Sequence, residues 1–365
     1  MNIECVKEKL VEIITSAGRF SGKHPTLPVL SALLCEAKKN TLTIRATNLD
    51  AGIEITLPVK VITEGSVAVP AHTITQTLAH IQGKQVVLEE KNGNILISSG
   101  SYKTTVKCVP KDDFPTIPTV LKGEAVEIPA KKLGDGIESV VYSASASEIK
   151  PELSSVYIYP EQNTLVFVST DSFRLAEKKI GVKGIKDFPG IIIPYKNAVE
   201  ISRICSIIPD TISVVFSAHH ISFSSDSFHI TSRLIEGTFP DYKQIIPKEE
   251  KTRVVVLKQD LIQALKVTTV FANKFNQLSL KVKPKERLFS INSKNTDIGE
   301  SSVSLDAAIS GEEVELNVNA RYFSDCLTHI HQDSITILFN GAGKPIILGG
   351  AGDASFTYLA MPMNR

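Results

Sequence analysis

Apolar positions along the chain follow two rhythms that alternate. Near the N-terminus Val6, Leu10, Ile13, Ile14 and Ala17 fall at helical spacing, Gly18 is placed to end the helix, and Lys7, Lys9 and Glu12 face away. Strand-like runs follow in LPVLSALLCEA, NTLTIRATN and AGIEITLPVKV, each bounded by turns rich in Asn, Gly or Lys. The spacing then predicts a second helix over Ala71 to Ile81, with Ile74, Leu78 and Ile81 inward, before QVVLEEKNG, NILISSG and SYKTTVKCV return to the strand rhythm. The turn Lys91-Asn92-Gly93-Asn94 is a hairpin signal between two of these strands. The order is helix, strands, helix, strands, a half-motif used twice.

This pattern comes round three times. VAVPAHTITQTL (Val67 to Leu78) returns as IIIPYKNAVEIS (from Ile191) and as LNVNARYFSDCL (from Leu316), and the markers Pro70, Pro194 and Asn319 step by 124 and 125. Leu42, Leu165 and Leu288 step by 123, and Ile95, Ile221 and Ile346 by 126 and 125. The turns TNLDAGIE, TDSFRLAE and NTDIGESS follow the Leu-centred strands, and DDFPTIP and GTFPDYKQIIP close the first two units. A fixed period means repeated units. Three domains are expected, 1–121, 122–247 and 248–365. In the second, Leu133, Ile137, Val140 and Val141 point inward and a later helix begins at Lys196. In the third, Leu261, Ala264, Leu265 and Thr268 point inward, and a helix from Arg321 buries Phe323, Cys326 and Ile330. Short helices with long antiparallel strands give an α+β chain, its sheets on one side and its helices on the other.

Length agrees, since 365 residues suit three domains of ordinary size. With 42% hydrophobic and 22% charged residues the chain reads as globular, and no apolar run nears the roughly 20 residues a membrane span needs. MNIECVKEKLVEII lacks the apolar block of a secretory signal, so a cytoplasmic protein is expected. Cys5, Cys35, Cys108, Cys205 and Cys326 are scattered singly, which suggests core thiols and neither a disulfide framework nor a metal cluster. The net charge of +1 gives no evidence for a nucleic-acid partner, so only the distribution of charge can.

Repeated units that meet through equivalent edges turn through a constant angle and can close. One reading is a ring whose helical Lys and Arg meet a phosphate backbone; the other is a set of ordinary solvated helix faces. Catalysis finds no support. No GxSxG surrounds Ser172, and His219 and His220, adjacent in a hairpin-like turn, point to opposite faces. No P-loop, GxGxxG or HExxH occurs, so no cofactor or metal is expected. Asp112, Asp113 and Asp241 lie at Pro turns, where carboxylates turn the chain.

HPTLPVL (His24 to Leu30), TDSFRLA (Thr170 to Ala176), GTFPDYKQIIP and the terminal YLAMPMNR resemble signature stretches of the bacterial DNA polymerase III β subunit, the sliding clamp family. The resemblance covers the whole chain. It implies the DNA clamp fold in a ring-shaped homodimer that encircles duplex DNA without reading its sequence, and a non-catalytic processivity role in DNA replication. Partners would be the replicative polymerase, the clamp loader and other proteins through short linear peptides. A repeat scaffold that binds such peptides without DNA is the alternative.

Residue by residue, the resemblance implies a peptide cleft. Its inner part is Leu153, Thr170, Ser172, Phe173, Arg174, Leu175, Pro240 and Ile245; its outer part is Asn319, Tyr322, Pro345, Met361, Pro362 and Met363. Ser172-Phe173 stands where the family usually has Gly-His. DNA contacts would come from Lys7, Lys23, His24, Lys131, Lys196, Arg203, Lys258 and Lys266, although many relatives carry Arg at the position of His24 and a basic residue at that of Tyr195. The dimer interface would involve Thr104, Val106 and Val270, with the strand Ser101 to Val109 pairing with the third unit of the partner.

Overall fold

The computed structural model describes residues 1–24, 26–120, 125–185, 187–208, 210–247, 249–341 and 343–363. The expected joints at 121/122 and at 248, and the last two residues of the chain, lie outside them.

The first repeat runs β1 (Asn2–Val6), α1 (Lys7–Gly18), β2 (Ala32–Lys38), β3 (Thr41–Thr47), β4 (Ala51–Pro58), β5 (Lys60–Thr63), β6 (Gly65–Pro70), α2 (Ala71–His80), β7 (Gln85–Lys91), β8 (Asn94–Ser99) and β9 (Tyr102–Lys107). The second is β10 (Val126–Pro129), α3 (Ala130–Val141), β11 (Ser155–Glu161), β12 (Thr164–Thr170), β13 (Arg174–Gly181), β14 (Ile191–Pro194), α4 (Tyr195–Ile207), β15 (Thr211–Phe216), β16 (His220–Ser224) and β17 (Phe228–Arg233). The third is β18 (Thr252–Leu257), α5 (Lys258–Val270), β19 (Gln277–Lys283), β20 (Leu288–Asn295), β21 (Gly299–Leu305), β22 (Ala307–Gly311), β23 (Val314–Asn319), α6 (Ala320–Leu327), β24 (Ser334–Phe339), β25 (Ile346–Gly350) and β26 (Phe356–Ala360). A short strand precedes every helix, so each half-motif is strand, helix and strands, and the chain opens on β1. Val6, expected to point inward, is the exposed residue at the strand-to-helix junction. LPVLSALLCEA starts as a 3-10 turn over Pro28–Ser31 before β2, as Pro28 favours.

Backbone contacts gather the chain into two units, Met1–Gly134 with Val199–Ile235 and Asp135–Ala198 with Glu236–Arg365, so the middle repeat is shared between them. In the first unit one sheet has the order β5-β1-β7-β8-β9 and another β10-β15-β16-β17-β4-β3-β2-β6. The second unit holds β14-β11-β12-β13-β26-β25-β24-β18-β22 and β21-β20-β19-β23. All the pairings are antiparallel. Each long sheet joins two repeats through the last strand of one and the fourth strand of the repeat before it, β17 with β4 and β26 with β13. The equivalent strands β9 and β21 are sheet edges.

Registers show how faithfully the unit is copied. Leu42 lies opposite Leu57 and Leu165 opposite Ile180. In the third repeat the place of Leu42 and Leu165 belongs to Phe289, fully buried and opposite Leu305, and not to Leu288 as the 123-residue step suggests. The connection before β20 has four residues there against two in the other repeats, a 3-10 turn over Pro284–Glu286 closed by left-handed Arg287, and the inward position falls one residue later than the step suggests. Aliphatic side chains from the helices and the inner sheet faces form the cores; Leu10, Ile14, Ile137, Leu261 and Phe323 are all buried. No described helix is long and apolar enough to cross a membrane.

Candidate functional site

The turn TDSFR sets the geometry of the second unit's groove. Thr170 Oγ1 donates to the Arg174 carbonyl at 2.6 Å, the Ser172 N–H donates to Thr170 Oγ1 at 3.2 Å, and Asp171 Oδ1 accepts from the N–H groups of Phe173 and Arg174, both at 2.9 Å. The turn TNLDA of the first repeat makes the same bonds through Thr47 and Asn48. Short polar side chains thus close the turn on its own backbone. The closure forces the third residue into the left-handed region, with φ of 77° at Ser172 and 76° at Leu49. Neither is glycine, so both carry a steric cost.

From this turn β13 runs beside β26, and Met361 N–H donates to the Phe173 carbonyl at 2.8 Å. Beyond it Met363 N–H reaches the Asn317 carbonyl at 2.8 Å, so the described end of the chain is tied down on both sides. The opposite wall comes from the QIIP stretch. Its 3-10 turn is pinned by Tyr242, whose hydroxyl donates to buried Glu177 and lies 2.8 Å from Tyr159 Oη, while Phe239 stacks on Tyr157 with centroids 4.8 Å apart. Burial, then the bond to Glu177, pushes the Tyr242 phenol well above its usual pKa, which keeps it a neutral donor. Lys243 adds a bridge to Glu161 at 2.6 Å.

Between these walls lies a groove of about 670 Å³. Thr170, Ser172, Phe173, Arg174, Leu175, Ile245, Pro345 and Met361 line it, as the resemblance implies. Phe173 is 63% exposed and Ile245 51%, large apolar surfaces left in water beside it. Leu153 is buried elsewhere and Pro240 is exposed outside the groove. Of the outer set, Pro345 and Met361 line the groove, Tyr322 meets it through Arg174, and Asn319, Pro362 and Met363 are not among its lining residues. The Arg174 guanidinium bonds Asp171 at 3.0 Å, Asp325 at 2.6 Å and the Tyr142 carbonyl at 2.7 Å, and lies 4.8 Å from the Tyr322 ring centroid. Burial opposes its charge, but the bond it donates to Asp325 and the fields of Tyr358, Asp171 and Asp325 outweigh it and the pKa rises. Arg174 is therefore a fixed strut, with its donors already engaged. Asn319 caps α6 by accepting from Arg321 N–H, and Pro362 and Met363 continue the tail. Sequence reasoning missed Gln244, Ile246, Pro247, Glu249, Asn340, Gly343, Lys344 and Leu359. The QIIP turn and the residues Asn340 and Lys344 before Pro345 were the available signal, since turn residues beside a sheet end often line sites.

The helix cations are scattered and partly engaged. Lys131 and Lys266 are exposed; Lys196 pairs with Glu148 at 2.8 Å and Arg203 with Glu200 at 2.6 Å. Lys258 donates to the Ile330 carbonyl at 2.5 Å. Lys7 is half-buried at the start of α1, while Lys23 and exposed His24 lie in the loop after it, His24 Nδ1 3.0 Å from Thr26 Oγ1. The six helices carry nine Lys or Arg against seven Asp or Glu, so their field is only weakly positive. Of the three residues assigned to an interface, Thr104 and Val106 face the interior of β9, Val106 being only 4% exposed, while Val270 ends α5 at 65% exposure.

Models of the DNA polymerase III beta subunit match nearly the entire chain, its N-terminal domain at 1–118, its central domain at 127–241 and its C-terminal domain at 243–364. The chain belongs to this family. Beta sliding clamps of Staphylococcus epidermidis and Staphylococcus aureus are 28% and 26% identical over 348 residues, 93% of this chain and 92% of theirs. The crystal structure of the Thermotoga maritima beta subunit superposes with a TM-score of 0.93 at 25% identity, covering 100% of this chain and 99% of that one. The Bacillus subtilis sliding clamp gives 0.89 at 25% identity with the same coverage. Three clamp domains built from helices and antiparallel sheets are therefore the family's fold and this chain's.

Proposed function

We propose that this chain is a sliding clamp, a non-catalytic processivity subunit working in the cytoplasm. Two copies, each with domains 1–121, 122–247 and 248–365, close into a ring around duplex DNA, and the groove over β13 and β26 takes short linear peptides of the replicative polymerase, the clamp loader and other DNA-handling proteins. The repeated joint carries the reading. β17 continues β4 and β26 continues β13, which leaves β9 and β21 as the matching pair of free edges. A free edge invites pairing, and a second copy supplies the complement. The weak positive balance of the helices suits a protein held by topology, because each phosphate contact adds a salt-sensitive increment and too many would stop sliding. Such contacts would come from Lys131 and Lys266, exposed on their helices, with Lys7, Lys23, His24, Lys196, Arg203 and Lys258 contributing less.

The test is retention. After loading on nicked circular DNA the protein should co-elute with the DNA through gel filtration at moderate salt and fall off when the circle is cut. Equal retention on circular and linear DNA would refute encirclement and favour a scaffold that binds by contact alone.

A further inference from the structure

A second groove, of about 600 Å³, opens in the first unit between α1, α4 and the ends of β4, β15 and β17. Its floor is aliphatic. Ile13, Ile204 and Ile207 meet Leu57 and Phe228 there, and Ile207 is 50% exposed. In the second unit Tyr142, His329 and Tyr358 form a ring stack, Tyr142 lying 4.4 Å from His329 and 6.1 Å from Tyr358. By the repeat steps, those places in the first unit belong to Arg19, Ile204 and Ile230, none of them a ring, and Ile204 is the one of them that lines the groove.

The rim is acidic. Glu12, Glu127, Asp210 and Asp226 surround the apolar floor against a single cation, Lys9, and none of the four carboxylates is in an ion pair with a described residue. We infer that this groove docks a basic peptide segment of a partner protein, an aliphatic side chain anchored on Ile204 and Ile207 and Lys or Arg flanking it toward the carboxylates. Charge complementarity selects that occupant, since DNA would be repelled by the same rim and an acidic peptide would meet like charges. The groove over β13 and β26 has Lys344 against Glu249, with Arg174 already paired with Asp171 and Asp325, and so lacks such an acidic rim. The inference does not depend on the clamp reading.

Two fluorescein-labelled octapeptides test it on the full-length protein: one with Leu-Ile at its centre and two Lys or Arg on each side, the other with Glu at the same four places. Anisotropy should show the basic peptide binding at least tenfold more tightly, with affinity falling as salt rises. Glu127→Lys with Asp226→Lys should weaken it at least tenfold and Ile207→Ser at least threefold; all three residues are exposed, so the fold should tolerate the changes. Isoleucine methyl resonances of Ile13, Ile204 and Ile207 should shift on titration. Equal binding of the two peptides, no shift at these methyls, or weakening by Met361→Ala alone would overturn the inference.

Discussion

If the joint between copies repeats the two joints within the chain, its register follows. Thr231 lies opposite Gly52 and Leu359 opposite Leu175. In the last hairpin of each repeat, Thr105, Thr231 and Leu359 hold the same place, opposite Leu96, Ser222 and Ile347. In the central hairpins Gly52, Leu175 and Glu300 hold the same place, opposite Thr47, Thr170 and Lys294. Thr105 of one copy should therefore face Glu300 of the next, with Thr104 opposite Ser301. The faces agree, because Thr104 and Ser301 both point to the half-buried side while Thr105 and Glu300 are exposed. Lys103 and Lys107 would flank Glu300 diagonally, each pair contributing about 0.2–1 kcal/mol.

Directly opposite residues in an antiparallel ladder have Cα atoms about 4.5–5.5 Å apart, within the roughly 4.4–6.8 Å a disulfide tolerates. Two residues along, the diagonal grows to about 7–8 Å and falls outside it. The double variant Thr104→Cys/Ser301→Cys should therefore cross-link copies under mild oxidation, and Thr104→Cys/Val303→Cys should not. Native thiols compete little. Burial pushes Cys5 and Cys108 up to about 11 and Cys35 and Cys205 up to about 12, leaving at pH 8 a thiolate fraction of about one in a thousand or less. Non-reducing gels read the outcome. Equal cross-linking of both pairs, or more of the shifted one, would refute the register.

Val270→Asp should yield monomers by gel filtration at micromolar concentration, because burying a mostly exposed Val is worth about 1–2 kcal/mol per joint and a carboxylate there reverses the sign. Val106→Asp should instead lower thermal stability, since that side chain packs within its own sheet. Ser172→Gly and Leu49→Gly should each stabilise by about 0.5–1 kcal/mol in denaturant titrations, the left-handed strain outweighing the added freedom of the unfolded chain; a loss of stability would count against strain. The bonds from Lys243 and then Lys179 hold the Glu161 carboxyl below its usual pKa, so its contribution is present above the unfolded value near 4.3 and lost as pH falls through the lower folded one. Glu161→Gln should thus be less stable than the parent at pH 6 and converge with it toward about pH 3, and a constant gap would disprove the linkage. Met361→Ala and Leu175→Ala should cost about 1–3 kcal/mol of partner-peptide binding while leaving the dimer intact, and a Phe173→His that alters no affinity would place that ring outside the contact.

The threefold period, the inward positions of most helices and the hairpin at Asn92-Gly93 were legible because periodicity and turn chemistry act locally. Phase was harder. Leu288 has the right residue type at the right distance, yet behind the longer preceding turn its place goes to Phe289. The site divides along the same line. Arg174 and Leu175 on β13 and Met361 in the tail were readable from motif, whereas Gln244, Ile246, Pro247 and Lys344 enter the groove through turns, the first of them pinned by distant partners such as Glu177. Ser172 joins both cases. Its place suggests a position that favours glycine, and its φ of 77° agrees, but Leu49 adopts nearly the same angle in the first repeat without glycine either. Thr170 and Asp171, like Thr47 and Asn48, hold the turn by side-chain bonds, so the left-handed residue is imposed by its neighbours. That frees position 172 from glycine and leaves Phe173, carried on a rigid turn, exposed at the groove's edge.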